Sequence, residues 1–382
     1  MKIVYFYPQF VNSAGTERIL IEKANCLAEQ YNYEIVLLTF QQGNHSFPFL
    51  LSNKVRHVDL NVRYDSMYRY NCIVRFWRWF QLDKVLQVRF NNFVHDFQPD
   101  VIISTTGFAI VSSVVVKCPL PVVRIAESHV DMRHQMEHSI FNNRSLLRRI
   151  RVWNDMRIIR KNMRYYNLLV ALNQEDARDW SRYVRTKVIT NVVHLNSTGN
   201  NASLQSKHVI FAGRYVPQKG LLDLLKIWSL VYNKHPDWHL DLYGDGEQKN
   251  LLMHEAARIH ANVHIHQSDP QIFNRYLESS IFVLTSLFEP FGLVLPEAMS
   301  CGLPVVAFNC PYGPAEIITD GIDGFLVENR DSQQFALRIC QLIESEALRI
   351  KMGKAAIVSS QRYTAKNVMP QWCALFESLF KG

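Results

Sequence analysis

The chain has 382 residues, of which 48% are hydrophobic, 20% charged and 12% aromatic. That composition excludes disordered and fibrous classes, and the length predicts two domains. The formal net charge is +8, and the seven cysteines are scattered with no Cys-x-x-Cys pair, which argues against a disulfide scaffold or a zinc ribbon and fits a reducing cytosol.

Met1-Lys2 leads straight into the strand-like Ile3–Tyr7, without the apolar region and cleavage site of a signal peptide. No apolar run reaches the roughly 18 to 20 residues needed to span a bilayer, so neither a secreted nor an integral-membrane protein is expected. Short Val/Ile-rich runs then alternate with segments of helical periodicity, the pattern of a parallel sheet with helices on both faces. Strands are predicted at Ile3–Tyr7, Glu34–Phe40, Val101–Ser104, Val122–Glu127 and Leu168–Leu172. Between the second and third, Met67–Phe90 mixes Arg69, Arg75, Arg78, Lys84 and Arg89 with Tyr68, Tyr70, Phe76, Trp77, Trp79 and Phe80. Further on, residues 133–166 carry nine basic residues against two acidic ones. Leu146, Ile150, Trp153, Met156, Ile159, Met163 and Tyr166 recur there every three or four positions, which predicts a long helix with one apolar stripe. Such a helix suits an anionic membrane surface, and equally a core-packed stripe with solvated arginines. Nucleic acid is not expected as a partner, because no helix-turn-helix, zinc-finger or ribonucleoprotein signature accompanies the charge.

From Lys187 the chain turns polar and irregular, and a second series of strands follows at His208–Ala212, Leu240–Gly244, Val263–His266, Ile281–Leu284, Pro304–Phe308 and Phe325–Val327. The expected organisation is an N-terminal domain over 1–188, a linker over 189–207 and a second domain over 208–365, with a final helix over 366–382 packing back on the first. The fold class is α/β, with two tandem Rossmann-like, doubly wound domains.

Two segments carry the chemistry. Phe211-Ala212-Gly213-Arg214-Tyr215-Val216-Pro217-Gln218-Lys219-Gly220 follows a strand and enters a helix near Gly220. Backbone N–H groups, Arg214 and Lys219 thus gather at a strand's carboxyl edge, where anions bind in open α/β sheets. Gly and Lys also commonly open surface helices, so this motif alone is a weak signature. The second, Ser286-Leu287-Phe288-Glu289-Pro290-Phe291-Gly292-Leu293-Val294-Leu295-Pro296-Glu297, predicts a loop and a helix from about Gly292. Glu289 then lies in the loop and Glu297 about one and a half turns into the helix, two carboxylates suited to hydroxyls of two sugar rings.

With these residues the sequence resembles the retaining nucleotide-sugar glycosyltransferases of the large fourth family, which includes bacterial capsule, O-antigen and mannosyl transferases and has the two-domain GT-B architecture. The resemblance covers nearly all of the C-terminal half, including Met299–Ala307 and Gly313–Gly321, and in the N-terminal half Gly15–Arg18 and Ala126–His129. It implies an N-terminal domain for the acceptor, a C-terminal domain for the donor and an active site in the cleft between them. Arg214 and Lys219 would hold the donor diphosphate, Glu297 the ribose and Glu289 the donor sugar. Gly213 would belong to the donor-binding loop with them, and the backbone at Phe291, Gly292 and Leu293 would face sugar and diphosphate. His129 would hydrogen-bond the donor sugar near the reacting centre, and Gly15 would approach the phosphate. Glu316 and His266 stand behind these as further candidates. The sequence departs from the family at Ala14, where a second glycine is usual, and at Gln267, beside the pocket for the base.

Asp-x-Asp does not occur, so no metal is expected at the diphosphate, and no cofactor is expected beyond the nucleotide-sugar co-substrate. The Gly-x-Ser-x-Gly elbow, the Walker loop and the Gly-x-Gly-x-x-Gly fingerprint are also missing. The expected activity is transfer of a hexose from a UDP-linked donor to a saccharide or lipid-linked saccharide in surface polysaccharide synthesis, in the cytoplasm or on the inner membrane face. Alternatives are a nucleotide-sugar epimerase on the same fold and a non-catalytic sugar-nucleotide-binding protein.

Overall fold

The structure is a computed structural model that describes residues 1–11, 15–130 and 146–380. It divides into two compact units, Met1–Val192 with Met369–Gly382, and Val193–Val368.

In the first unit the order is β1 (Lys2–Phe6), α1 (Gly15–Gln30), β2 (Glu34–Thr39), β3 (Val55–Asp59), α2 (Cys72–Phe97), β4 (Val101–Thr105), α3 (Ala109–Val115), β5 (Val123–Ser128), α4 (Leu146–Met163), β6 (Leu168–Ala171), α5 (Gln174–Trp180) and β7 (Thr186–Val188). The seven described strands form one parallel sheet in the order β3-β2-β1-β4-β5-β6-β7. Its central strands β1, β4 and β6 are apolar and buried on both faces, as helices on either side require. The sequence reading missed β3 and β7. Both are edge strands, and Val55-Arg56-His57-Val58-Asp59 and Thr186-Lys187-Val188 mix polar with apolar residues, with no continuous apolar run to mark them. Lys187 therefore ends a sheet instead of opening an irregular linker.

The predicted apolar stripe of α4 is buried only along its C-terminal half. Met156, Ile159 and Met163 are at most 4% exposed, whereas Leu146, Ile150 and Trp153 are more than half exposed. Residues 133–145 of the predicted basic helix, like Ala14, lie outside the described residues. On α2, Trp77, Trp79, Phe80 and Val88 are also exposed.

The second unit runs β8 (His208–Ala212), α6 (Leu221–Tyr232), β9 (His239–Tyr243), α7 (Lys249–Ile259), β10 (Val263–His266), α8 (Ile272–Leu277), β11 (Ile281–Leu284), α9 (Val294–Ser300), β12 (Val305–Phe308), α10 (Pro314–Ile317), β13 (Gly324–Val327), α11 (Ser332–Glu344) and α12 (Glu346–Ser360). Its parallel sheet has the order β10-β9-β8-β11-β12-β13. A last helix, α13 (Ala365–Phe380), delivers Trp372 and Phe376 to the first unit, where Lys23 lies 4.3 Å above the Trp372 ring and Phe376 meets Tyr33 edge-on.

Strand order reverses between β1 and β4 in one sheet and between β8 and β11 in the other. The loops leaving two adjacent strands diverge at such a point, opening a crevice at their carboxyl ends. No helix among the described residues is long and apolar enough to cross a membrane.

Candidate active site

In the second unit, the loops after β8 and β11 are fastened to each other. Gly213 donates its N–H to the Tyr243 carbonyl, and Tyr215 is buried with its hydroxyl on the carbonyls of Leu242 and His266 at 2.6 and 2.8 Å. Pro217–Lys219 forms one 3-10 turn that ends on Gly220 at φ +62°. A Cβ on Gly220 would meet the Thr285 carbonyl at 2.2 Å, so only glycine fits here. The Thr285 hydroxyl donates back to the Lys219 carbonyl at 3.1 Å. Arg330, which the sequence reading did not single out, closes the arrangement by donating to the carbonyls of Thr285 and Ser286 at 2.9 and 2.7 Å.

That fastening brings Lys219 onto Glu289. The ammonium donates to both carboxylate oxygens, at 3.1 Å to Oε2, and the two side chains are 11% and 5% exposed. Arg214, by contrast, is exposed, and its guanidinium has no ion-pair or hydrogen-bond partner among the described residues. Burial first and the Glu289 carboxylate second push the neighbouring Cys310 thiol up to about 12, which leaves it unreactive as a nucleophile.

Glu289 is held by its backbone, donating to the Pro311 carbonyl at 3.3 Å and accepting from Gly313 N–H at 2.6 Å. Phe291 is buried edge-on against Tyr363, and Gly292 takes φ +88°. The N–H groups of Phe291, Gly292 and Leu293 reach no acceptor among the described residues and are left to a ligand or to water. α9 begins at Val294, two residues later than predicted, so Glu297 lies in its first turn; it is buried, with its N–H on the Leu293 carbonyl at 3.2 Å. Glu316 is an exposed first-turn residue of the short α10. His266 points its Nε2 at Asp241, 3.0 Å away, in a group of side chains separate from Lys219 and Glu289.

In the first unit, β5 ends in Glu127-Ser128-His129. Residues two apart on a strand share a face, and His129 Nε2 donates to Glu127 Oε2 at 2.8 Å. The same oxygen accepts from Lys23, the fully buried ammonium on the apolar stripe of α1. Burial alone would raise the Glu127 carboxyl, but Lys23 and the His129 hydrogen bond outweigh it and hold it at about 2. His129 Nδ1 is buried and has no hydrogen-bond partner among the described residues, so it needs a space beside it from which a ligand could supply one. Such a space exists: a pocket of about 330 Å³ lined by His129, Tyr7, Thr16, Thr105, Phe108 and Asp155, among others, at the carboxyl ends of β1, β4 and β5. Burial raises the Asp155 carboxyl, with Arg151 opposing. Gly15 is the first residue of α1 and is exposed, next to Thr16 of this pocket.

Lys23, Glu127 and Asp155 were not singled out from the sequence. The spacing of Glu127 and His129 on a predicted strand was a usable signal for the first pair. A lysine at an apolar-stripe position of α1, between Leu20, Ala24 and Leu27, was another.

Residues 196–358 match the family model described as glycosyl transferases group 1. Among the relatives, an uncharacterized glycosyltransferase of Haemophilus influenzae is 26% identical over 97% of this chain and 98% of its own length. The amylovoran biosynthesis glycosyltransferase AmsD of Erwinia amylovora is 26% identical over the same shares. A Campylobacter jejuni α-1,4-N-acetyl-D-galactosaminyltransferase, named for a PP-undecaprenol-linked saccharide, is 24% identical over 98% of each chain. S. aureus TarM, solved with fondaparinux, α-GlcNAc-glycerol and UDP, superposes with a TM-score of 0.75 at 14% identity, covering 98% of this chain and 99% of that one. The paired Rossmann-like sheets are thus those of GT-B proteins, and the family model and relatives support a GT-B glycosyltransferase of glycan biosynthesis. None of these relatives favours an epimerase.

Proposed function

We propose that this chain is a retaining hexosyltransferase that moves a hexose from a UDP-linked donor to a hydroxyl of a saccharide or lipid-linked saccharide, in the cytoplasm and without a metal ion, in surface polysaccharide synthesis. The observation that carries this reading is the buried Lys219–Glu289 pair at the carboxyl ends of β8 and β11. A cation suited to phosphate stands against an acceptor suited to sugar hydroxyls, at the place where an open α/β sheet binds ligands. Arg214, exposed and without a partner among the described residues, adds a second cation for the leaving diphosphate. Glu297 takes the ribose hydroxyls, and the N–H groups of Phe291 to Leu293 take oxygens of the sugar diphosphate. His129 accepts a hydroxyl of the donor sugar on Nδ1, its ring held by Glu127. In the reaction the C1–O bond to the diphosphate breaks and the acceptor oxygen bonds to C1 on the same face. The acceptor's proton passes to the departing diphosphate.

UDP as carrier rests on the TarM complex, and a lipid-linked acceptor on the Campylobacter jejuni relative. The second acceptor class agrees with the exposed Leu146, Ile150 and Trp153 interleaved with Arg149 and Arg151, a surface suited to an anionic membrane. Incubation with a panel of UDP-hexoses and undecaprenyl-diphosphate saccharides, with proton NMR of the product, tests the proposal. Transfer from one donor with the anomeric configuration kept, undiminished by EDTA, is expected. An inverted product, or transfer that EDTA abolishes, would refute it.

A further inference from the structure

Strands β8, β9 and β10 carry an unusual set of side chains on one face. Register pairs His208 with His239, and Asp241 with His264, and His266 with Tyr243. Alternation along each strand then puts His208, His239, Asp241, Tyr243, His264 and His266 on the same side of the sheet. Asp241 sits at the centre, its side chain 9% exposed. Its Oδ1 is 3.1 Å from His264 Nδ1 and 3.0 Å from His266 Nε2, while Oδ2 is 2.6 Å from His208 Nδ1.

We propose that Asp241, His264 and His266 form a binding site for a divalent transition-metal ion of the zinc, cobalt or nickel class. Their ligating atoms lie within 4.8 Å of one another. Tetrahedral bonds of about 2.0 to 2.2 Å set ligand atoms roughly 3.3 to 3.5 Å apart, so the two measured Asp–His separations need to open by only a few tenths of an ångström. The nitrogens that now face the carboxylate are the ones that would turn their lone pairs to the ion. One carboxylate oxygen and two imidazoles select zinc, cobalt or nickel over magnesium or calcium, which require mostly oxygen. His264 and His266 are 49% and 39% exposed, leaving an entry path and a fourth position for water.

The site is built on strands, and its rings are held. His266 stacks on Tyr243 at 4.4 Å and 13°, and its carbonyl accepts from Tyr215. The rings of His208, His239 and His264 stack in series at 5.1 and 5.4 Å. His208 fixes the second oxygen of Asp241, the outer contact that orients a ligating carboxylate. None of these residues is among those assigned to the sugar nucleotide apart from His266, a further candidate only, so the site stands apart from the proposed donor site.

The test is calorimetric titration of the tag-free full chain with Zn²⁺, repeated with Co²⁺ and followed by its visible absorption. One ion per chain is expected, with a tetrahedral cobalt spectrum. His264→Gln and Asp241→Asn should abolish the site, and His208→Gln should weaken it about 10- to 100-fold, each with an unchanged circular dichroism spectrum. His264 is half exposed, so its variant keeps the test valid if the Asp241 variant fails to fold. Arg214→Ala should leave zinc binding unchanged, which separates this site from the proposed transferase chemistry. No stoichiometric Zn²⁺ binding, binding that survives His264→Gln with His266→Gln, or equal affinity for Mg²⁺ would overturn the proposal.

Discussion

Glu127→Gln tests the network that holds His129. An ordinary carboxyl of this kind titrates at 4.5, and Glu127 is held at about 2. A gap of about 2.5 at 1.36 kcal/mol each gives roughly 3 kcal/mol of stability from the ionised form. Because the folded value is the lower one, this contribution is whole above about pH 5 and falls away as pH drops through 4.5 toward 2; about 2 kcal/mol of it is gone at pH 3. Near neutral pH the variant leaves Lys23 buried without its anion, a loss of about 3 to 5 kcal/mol. Urea unfolding of wild type and Glu127→Gln should therefore differ most at pH 6 to 7 and converge by about 2 kcal/mol at pH 3. Lys23→Met supplies the partner comparison: the double variant should be much less destabilised than the sum of the two single ones. A gap that does not change with pH, together with additive single variants, would show that the three groups do not act as a unit.

Three further outcomes are expected. Arg214→Ala, whose side chain has no partner among the described residues to strand, should fold normally and lower turnover by about 10²- to 10³-fold in a steady-state transfer assay; Lys219→Ala is the poorer probe, because it also removes the cation that Glu289 is paired with in a buried place. Calorimetry with UDP and UDP-hexose should separate the glutamates: Glu297→Ala weakens both ligands, whereas Glu289→Ala leaves UDP affinity undiminished and weakens the sugar nucleotide. Changing Arg148, Arg149 and Arg151 together to Glu should release the protein from anionic vesicles in a flotation assay, at about 1 kcal/mol per contacting cation, without altering hydrolysis of the donor.

Strands such as His208–Ala212 and Ile281–Leu284 were legible in the sequence to the residue, because each is a short, mostly apolar run bounded by polar residues or turns, and Val263–His266 was legible by its strict alternation of apolar residues with histidine. The edge strands β3 and β7 were not, since an edge carries mixed residues and no such run. In the second unit the paired positions 219 and 289 were legible as chemistry, but their direct contact was not. It depends on Thr285 and Arg330, residues that carry no motif and act by tying backbone to backbone. In the first unit His129 was visible and its support was not. A buried lysine reads locally as a surface residue, and the ring that covers Lys23 belongs to Trp372, near the opposite end of the chain.

The contact between Lys219 and Glu289 also bears on which anions the proposed donor site would refuse. Each already neutralises the other, so a bare phosphate that captured the lysine would have to leave a carboxylate behind in a buried place, with nothing offered in return. On the proposed reading, a sugar diphosphate would replace both partners at once, phosphate for the lysine and hydroxyls for the glutamate. On that reading the pair would work as a two-key lock against free nucleotides: discrimination would come from what an incomplete ligand leaves unsatisfied.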